Sequence, residues 1–329
     1  ETSDYDLAAK VILHGRENQW GQFLTLGTTM YRLGIIQPLL TAIEGIIDKV
    51  EYPRYRSELN NILGDLYWTT GKVYRAISCQ QKAIAISQNC LQSISATPDS
   101  EHELYYWRML EVDSLLSWGL YNIDLWELAA AADLFKQVID LASHTKHHSW
   151  SEKASLGLAL VRSHLIGFDS SNAIVEHLYH QIIELENEAY NTGRFAYFMQ
   201  ILGQILFNYQ RIASAKAVWQ KTILFSQEGN FTQIKAKSLT GLGNVERHRN
   251  NLEEAEYYHH QAIESLEKID AKCDLAEAYF QLGITLKQKK QANKSIYFLR
   301  RAVKLFRQIE APKQVERVET VLNEMIASS

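Results

Sequence analysis

The chain has 329 residues, of which 46% are hydrophobic and 22% charged, with a net charge of −4. That balance excludes a disordered chain, and the mild negative charge argues against direct nucleic-acid binding, which needs a basic field. No run of about 18 apolar residues is present to cross a membrane.

In chain order, residues 4–50 read as three helices. Asp4 caps the first, from Tyr5 to His14. Trp20, Phe23, Leu24, Leu26, Tyr31 and Leu33 form the second, and Gly34 ends it. Pro38 opens the third, which runs through Leu39, Leu40, Ile43, Ile46 and Ile47. Residues 54–91 form a helix hairpin broken at Thr69-Thr70-Gly71, and a Ser/Thr/Pro-rich insertion follows from Ser93. Residues 104–145 are a second hairpin crowded with Tyr105, Tyr106, Trp107, Trp118, Tyr121 and Trp126, read as core and packing. His144, His147, His148 and Trp150 follow without a carboxylate or Cys at ligand spacing, and read as a solvated loop.

Residues 151–190 read as a degenerate hairpin with Ala154, Leu156, Leu158, Leu160 and Val161 on its first helix and a turn at Gly167-Phe168-Asp169. Ser170 or Ser171 caps its second helix, which runs to Tyr190. Residues 194–309 hold three regular hairpins, with Asn250-Asn251 as the turn of the middle one. A last helix starts at Pro312, with Val315, Val318, Leu322 and Met325 on its apolar stripe.

One spacing runs through the hairpins. Gly64 is followed by Ala76 and Ala83, Gly119 by Ala131 and Val138, Gly203 by Ala215 and Thr222, Gly243 by Ala255 and Ala262, and Gly283 by Ser295 and Ala302, always at offsets of 12 and 19. Small residues at those points let antiparallel helices approach closely. Gly243 is expected to face Ala255. Gly203, Gly243 and Gly283 are evenly spaced. The Leu-Gly…Ala…Ala pattern resembles the tetratricopeptide repeat family, in a long variant of about 40 residues per repeat whose helices carry about one extra turn over the standard 34 residues. The family's terminal proline is missing throughout.

The resemblance implies an all-α fold: a right-handed α-α superhelix of about six to seven helical hairpins with a C-terminal capping helix. The expected division is 1–50 as N-terminal helices, 51–311 as repeats and 312–329 as the cap. The segment 4–50 resembles the helices that join a nucleotide-switch module to the repeat arm of large signalling ATPases. The chain begins at Glu1 rather than Met and is therefore read as a piece of something longer, ending naturally at Ser329.

No phosphate loop, dinucleotide fingerprint, HExxH or GxSxG motif occurs in the sequence. Glu253-Glu254 and His259-His260 read as solvated helix surface. The reading is therefore non-enzymatic, with no catalytic residue, cofactor or metal. Cys79, Cys90 and Cys273 lack metal-ligand spacing and suit a reducing, cytoplasmic setting.

In the family, the first helix of each hairpin lines the concave face. Positions −6, −3, +1 and +4 from the repeat glycine share one face of that helix. They include Asn61, Asp65 and Trp68, then Gln200, Gln204 and Phe207, then Lys237, Thr240, Asn244 and Arg247. Amides, hydroxyls and aromatics of this kind bind extended peptide backbone. The expected function is a scaffold that takes a peptide or protein segment in its groove, or alternatively the sensor arm of a larger signalling ATPase or transcription regulator. Neither nucleic acid nor membrane is an expected partner. Asn244 and Arg247 are expected to be surface side chains whose loss leaves stability unchanged.

Overall fold

The computed structural model describes residues 4–17, 23–94, 100–165, 173–184 and 193–327. Trp20, the 167–169 turn, the caps at Ser170 and Ser171, the helix end at Tyr190 and residues 95–99 of the insertion lie outside them. The architecture is all-α. The chain divides into two compact units: 1–122 with 130–154, and 123–129 with 155–329.

The first unit opens with α1 (Tyr5–Leu13), whose N-cap Asp4 accepts a hydrogen bond from the Leu7 amide at 2.8 Å. The second helix differs from expectation. Phe23–Thr25 form strand β2, paired antiparallel with β1 (Gly15–Glu17), so α2 spans only Leu26–Arg32. Thr25 ends the strand and caps the helix, accepting from the Thr28 amide at 3.1 Å. Helix α3 (Ile36–Ile46) buries Leu39, Leu40 and Ile43. Then come α4 (Pro53–Thr69), α5 (Val73–Ser93), α6 (Glu101–Asp124), α7 (Leu128–Ala142) and the start of α8 (His148–Leu165). His147 is not a solvated loop residue. It is 4% exposed and stacks on Tyr105 with ring centroids 4.4 Å apart.

The second unit continues with α9 (Ala173–Glu184), α10 (Gly193–Asn208), α11 (Ile212–Glu228), α12 (Thr232–His248), α13 (Leu252–Lys268), α14 (Lys272–Gln288), α15 (Ala292–Gln308) and α16 (Pro312–Ala327). Helices α11 to α15 each have 17 residues. From α10 to α16 a left-handed residue sits in each turn, at even intervals: Gln210, Asn230, Asn250, Asp270, Lys290 and Glu310. Around Asn250 the Asn251 amide donates to the Glu246 carbonyl at 2.8 Å and the Asn250 amide to the Arg247 carbonyl at 3.0 Å. That pair of bonds is the Schellman closure, which satisfies carbonyls the helix end would otherwise orphan. It stops each helix without proline, which accounts for the missing family prolines.

The side chain that covers each repeat glycine is one the spacing did not name. A Cβ added to Gly243 would lie 2.4 Å from the His259 ring, one added to Gly203 2.3 Å from Trp219, one at Gly119 2.5 Å from Phe135, one at Gly64 2.5 Å from Gln80 and one at Gly283 2.6 Å from Leu299. Each partner is at +16, one helical turn beyond the small residue at +12. The small residue at +12 lies against the backbone: Ser295 Oγ donates to the Gly283 carbonyl at 2.7 Å, and the Ala76 carbonyl would lie 3.3 Å from a Cβ on Gly64. Trp219 is gripped twice, since a Cβ on Gly241 would also meet it, at 2.4 Å. His259 is accordingly core, 0% exposed, and not solvated surface.

Candidate functional site

In α4, α12 and α14 the glycine, the left-handed turn and the 17-residue helix together fix which side chains share a face. In the first unit that face, on α4, is fastened to α6. Glu58 accepts from the Tyr106 hydroxyl. Asn61 Nδ2 donates to Ser114 Oγ at 3.1 Å and to Gln80 Oε1 at 3.2 Å. Asp65 accepts from the Tyr121 hydroxyl, and Trp68 stacks on the Tyr121 ring with centroids 5.5 Å apart. Burial beside the Asp65 carboxylate pushes the Tyr121 hydroxyl well above its ordinary pKa, so it stays a donor.

In the second unit the same face runs as a ladder from one first helix to the next. Gln200 is buried, and its carbonyl accepts from Trp219 Nε1 at 3.2 Å. Gln204 donates to Asn208 Oδ1 at 2.8 Å, and Phe207 lies edge-on to His248. Lys237 pairs with Asp274 and lies 5.5 Å from the Tyr197 ring centroid. Burial alone would discharge it, but the Asp274 carboxylate holds the ammonium well above its ordinary pKa. Thr240 is buried and its hydroxyl turns back to the Ala236 carbonyl at 3.2 Å. Arg247 donates to the Gln281 carbonyl at 3.0 Å, to Gln281 Oε1 at 2.8 Å and toward Thr285 Oγ1 at 3.4 Å. Burial lowers its pKa to about 10.

Asn244 and Arg247 are therefore not free surface side chains. Asn244 is 6% exposed, and its Oδ1 is a buried acceptor without a hydrogen-bond partner. Sequence spacing assigns these residues to one face; it misses that the neighbouring repeat engages most of them. It places the last helix from Pro312 but misses that this helix, α16, engages the same face. There Arg317 pairs with Glu277, and Lys287 meets Glu324 at 2.9 Å. Among the described residues no three His, Cys, Asp or Glu side chains converge to hold a metal ion. No described helix is long and apolar enough to cross a membrane.

Family models described as tetratricopeptide repeat match residues 235–308 and 57–90. These segments are tetratricopeptide repeats. The 235–308 match covers the hairpins built on Gly243 and Gly283, where the ladder of Lys237, Asn244, Arg247 and Glu277 lies.

Solved structures that resemble the chain include three Rap proteins. One is the Rap conjugation gene regulator of the plasmid pLS20 in complex with the Phr* peptide, 16% identical with a TM-score of 0.62 over 88% of this chain and 74% of that one. Another is a Rap protein complexed with Competence and Sporulation Factor, 12% identical, TM-score 0.60, covering 96% of this chain and 80% of that one. The third is the apo form of RapI, 12% identical, TM-score 0.53, covering 89% and 97%. At these identities the likeness is one of fold. No curated protein sequence matches the chain.

Proposed function

We propose that this repeat chain is a non-catalytic interaction scaffold that takes a peptide or protein segment against the face of its first helices. One observation carries the reading: the ladder along α10, α12 and α14 is polar and aromatic, and Asn244 on it keeps a buried carbonyl oxygen unused. A buried acceptor without a donor is costly, and a peptide amide would satisfy it. Two of the proteins that share the fold are described with a bound peptide or factor. The residues proposed to meet the partner are Asn61, Asp65, Trp68, Gln200, Gln204, Phe207, Lys237, Thr240, Asn244 and Arg247.

A second reading makes the chain the sensor arm of a larger signalling ATPase or transcription regulator. The helices and hairpin of residues 4–50 outside the repeat spacing favour it. A reducing, cytoplasmic setting suits the free Cys79, Cys90 and Cys273.

The test is capture of a partner by the full chain, followed by titration of that partner against Asn244→Ala. A tenfold or greater loss of affinity supports the face; unchanged binding places the partner elsewhere and sinks the assignment.

A further inference from the structure

The segment 123–129, the turn joining α6 to α7 with the adjoining helix ends, belongs with the second unit. It is short, and its central residue Trp126 is left-handed at φ 63°. That backbone is unusual for a bulky side chain and is held only where surroundings over-determine it. The surroundings come from α8 and α16. The Trp126 ring lies 4.9 Å from the His164 ring and 4.5 Å from the Arg317 guanidinium carbon. Arg317 also lies 4.6 Å from the Phe280 ring and is ion-paired with Glu277. Phe280 and Glu277 are the −3 and −6 positions of the last repeat, on the very face that the spacing marks for a ligand.

Around the aromatic the contacts are polar. Gln314 Nε2 donates to the Asp124 carbonyl at 3.1 Å, and Lys313 Nζ meets Glu127 Oε2 at 2.7 Å. Leu125 and Leu128 are 2% and 7% exposed. The segment thus offers an aromatic ring, a backbone carbonyl and the Glu127 carboxylate to a site of one arginine, one lysine, one amide and one imidazole. The fit leaves hydrogen-bonding capacity unused: Arg317 Nε and Gln314 Oε1 are buried without a partner. A ligand with one more acceptor and one more donor would satisfy both.

We infer that residues 123–129 are an internal ligand, and that the site they fill on α8, α14 and α16 accepts a peptide segment of the same chemistry, an aromatic residue followed by a carboxylate. This rests on the scaffold reading above and names the partner class. The external segment competes with the turn, so its apparent affinity is reduced by the fraction of molecules whose turn is docked. An intramolecular competitor acts at an effective concentration on the order of millimolar.

The probe is a labelled synthetic peptide with the sequence Tyr121–Ala130, titrated against the full chain. Wild type is expected to bind it weakly. Trp126→Ala and, at the rim, Glu127→Lys loosen the turn and are expected to tighten peptide binding at least tenfold. Adding Arg317→Ala to either is expected to remove it, as is replacing Trp by Ala in the peptide.

Hydrogen exchange on wild type at millimolar peptide serves even where a variant fails to fold: amides of 123–129 should exchange faster and those of α16 more slowly. No tightening in a folded loosened variant, binding that survives Arg317→Ala, or an unchanged exchange pattern would each overturn the inference. A captured partner that binds independently of Trp126 and Arg317 overturns it while leaving the scaffold reading intact. Peptide binding at this site without any captured partner does the reverse.

Discussion

Replacing His259 by leucine tests the packing of the clearest repeat. The imidazole sits over Gly243 with 0% exposure, and neither ring nitrogen has a hydrogen-bond partner. Leucine already fills the equivalent place over Gly283, as Leu299, also at 0% exposure. Removing buried polar atoms without partners is expected to raise stability by about 1 kcal/mol at neutral pH.

The sharper signature is in the pH dependence. Burial, with the charges of Arg247 and His260, holds the His259 pKa well below 6.5. Above 6.5 both folded and unfolded imidazoles are neutral and nothing is lost. Below it the unfolded chain takes up a proton that the folded chain refuses. Stability then falls by about 1.4 kcal/mol per pH unit for as long as the folded ring stays neutral. Between pH 7.5 and 5.5 wild type should lose about 1.4 kcal/mol more than His259→Leu. His164, lowered to about 4 by burial and by Arg317, contributes a parallel loss, but equally in both proteins. Urea melts at each pH, with hydrogen exchange of the α12 and α13 amides to localise the effect, measure the difference. Parallel pH curves for the two proteins would refute the buried, neutral histidine.

Three further outcomes follow from the same packing. Gly203→Ala should destabilise by about 1–3 kcal/mol by driving a methyl into Trp219, and in a Trp219→Leu background the same change should become neutral or stabilising; a denaturant double-mutant cycle with no coupling between the two changes would refute the contact. Lys290→Gly should stabilise by about 0.5–1 kcal/mol, because Lys290 holds a left-handed turn at φ 60° that glycine adopts without strain; a lower melting temperature would count against the turn geometry. Arg247→Ala should cost about 1–3 kcal/mol through the lost bonds to Gln281 and Thr285, and exchange in α14 should rise; an unchanged melt would show that Arg247 is not tied to the next repeat.

The glycines and small residues of the repeats were legible in the sequence because close helix approach admits few residue types. The side chains over those glycines were not. Gln80, Phe135, Trp219, His259 and Leu299 share no chemistry, only the filling of one slot, so no pattern of residue class reveals them. The candidate face was legible as a face, since Lys237, Thr240, Asn244 and Arg247 follow helical spacing. Its engagement was not, because Lys237–Asp274 and Arg247–Gln281 join residues 37 and 34 apart on different helices. The docking of Trp126 depends on Arg317, still farther along the chain, and on a left-handed backbone that tryptophan seldom signals. The short strand pair at 15–25 escaped for the opposite reason: Phe23 and Leu24 fit a helical stripe as well as a strand.

The even spacing of the left-handed turns has a consequence for how such a chain can change length. Each step from one such turn to the next, between Gln210 and Glu310, delivers one helix and one reversal. Loss or duplication of a single step would present a second helix where a first belongs, putting Ala255-type surfaces in place of the Asn244 ladder. Loss or duplication of two steps restores the alternation. Gene changes that add or remove whole pairs of steps therefore lengthen or shorten the array without turning it inside out, whereas changes of one step do not.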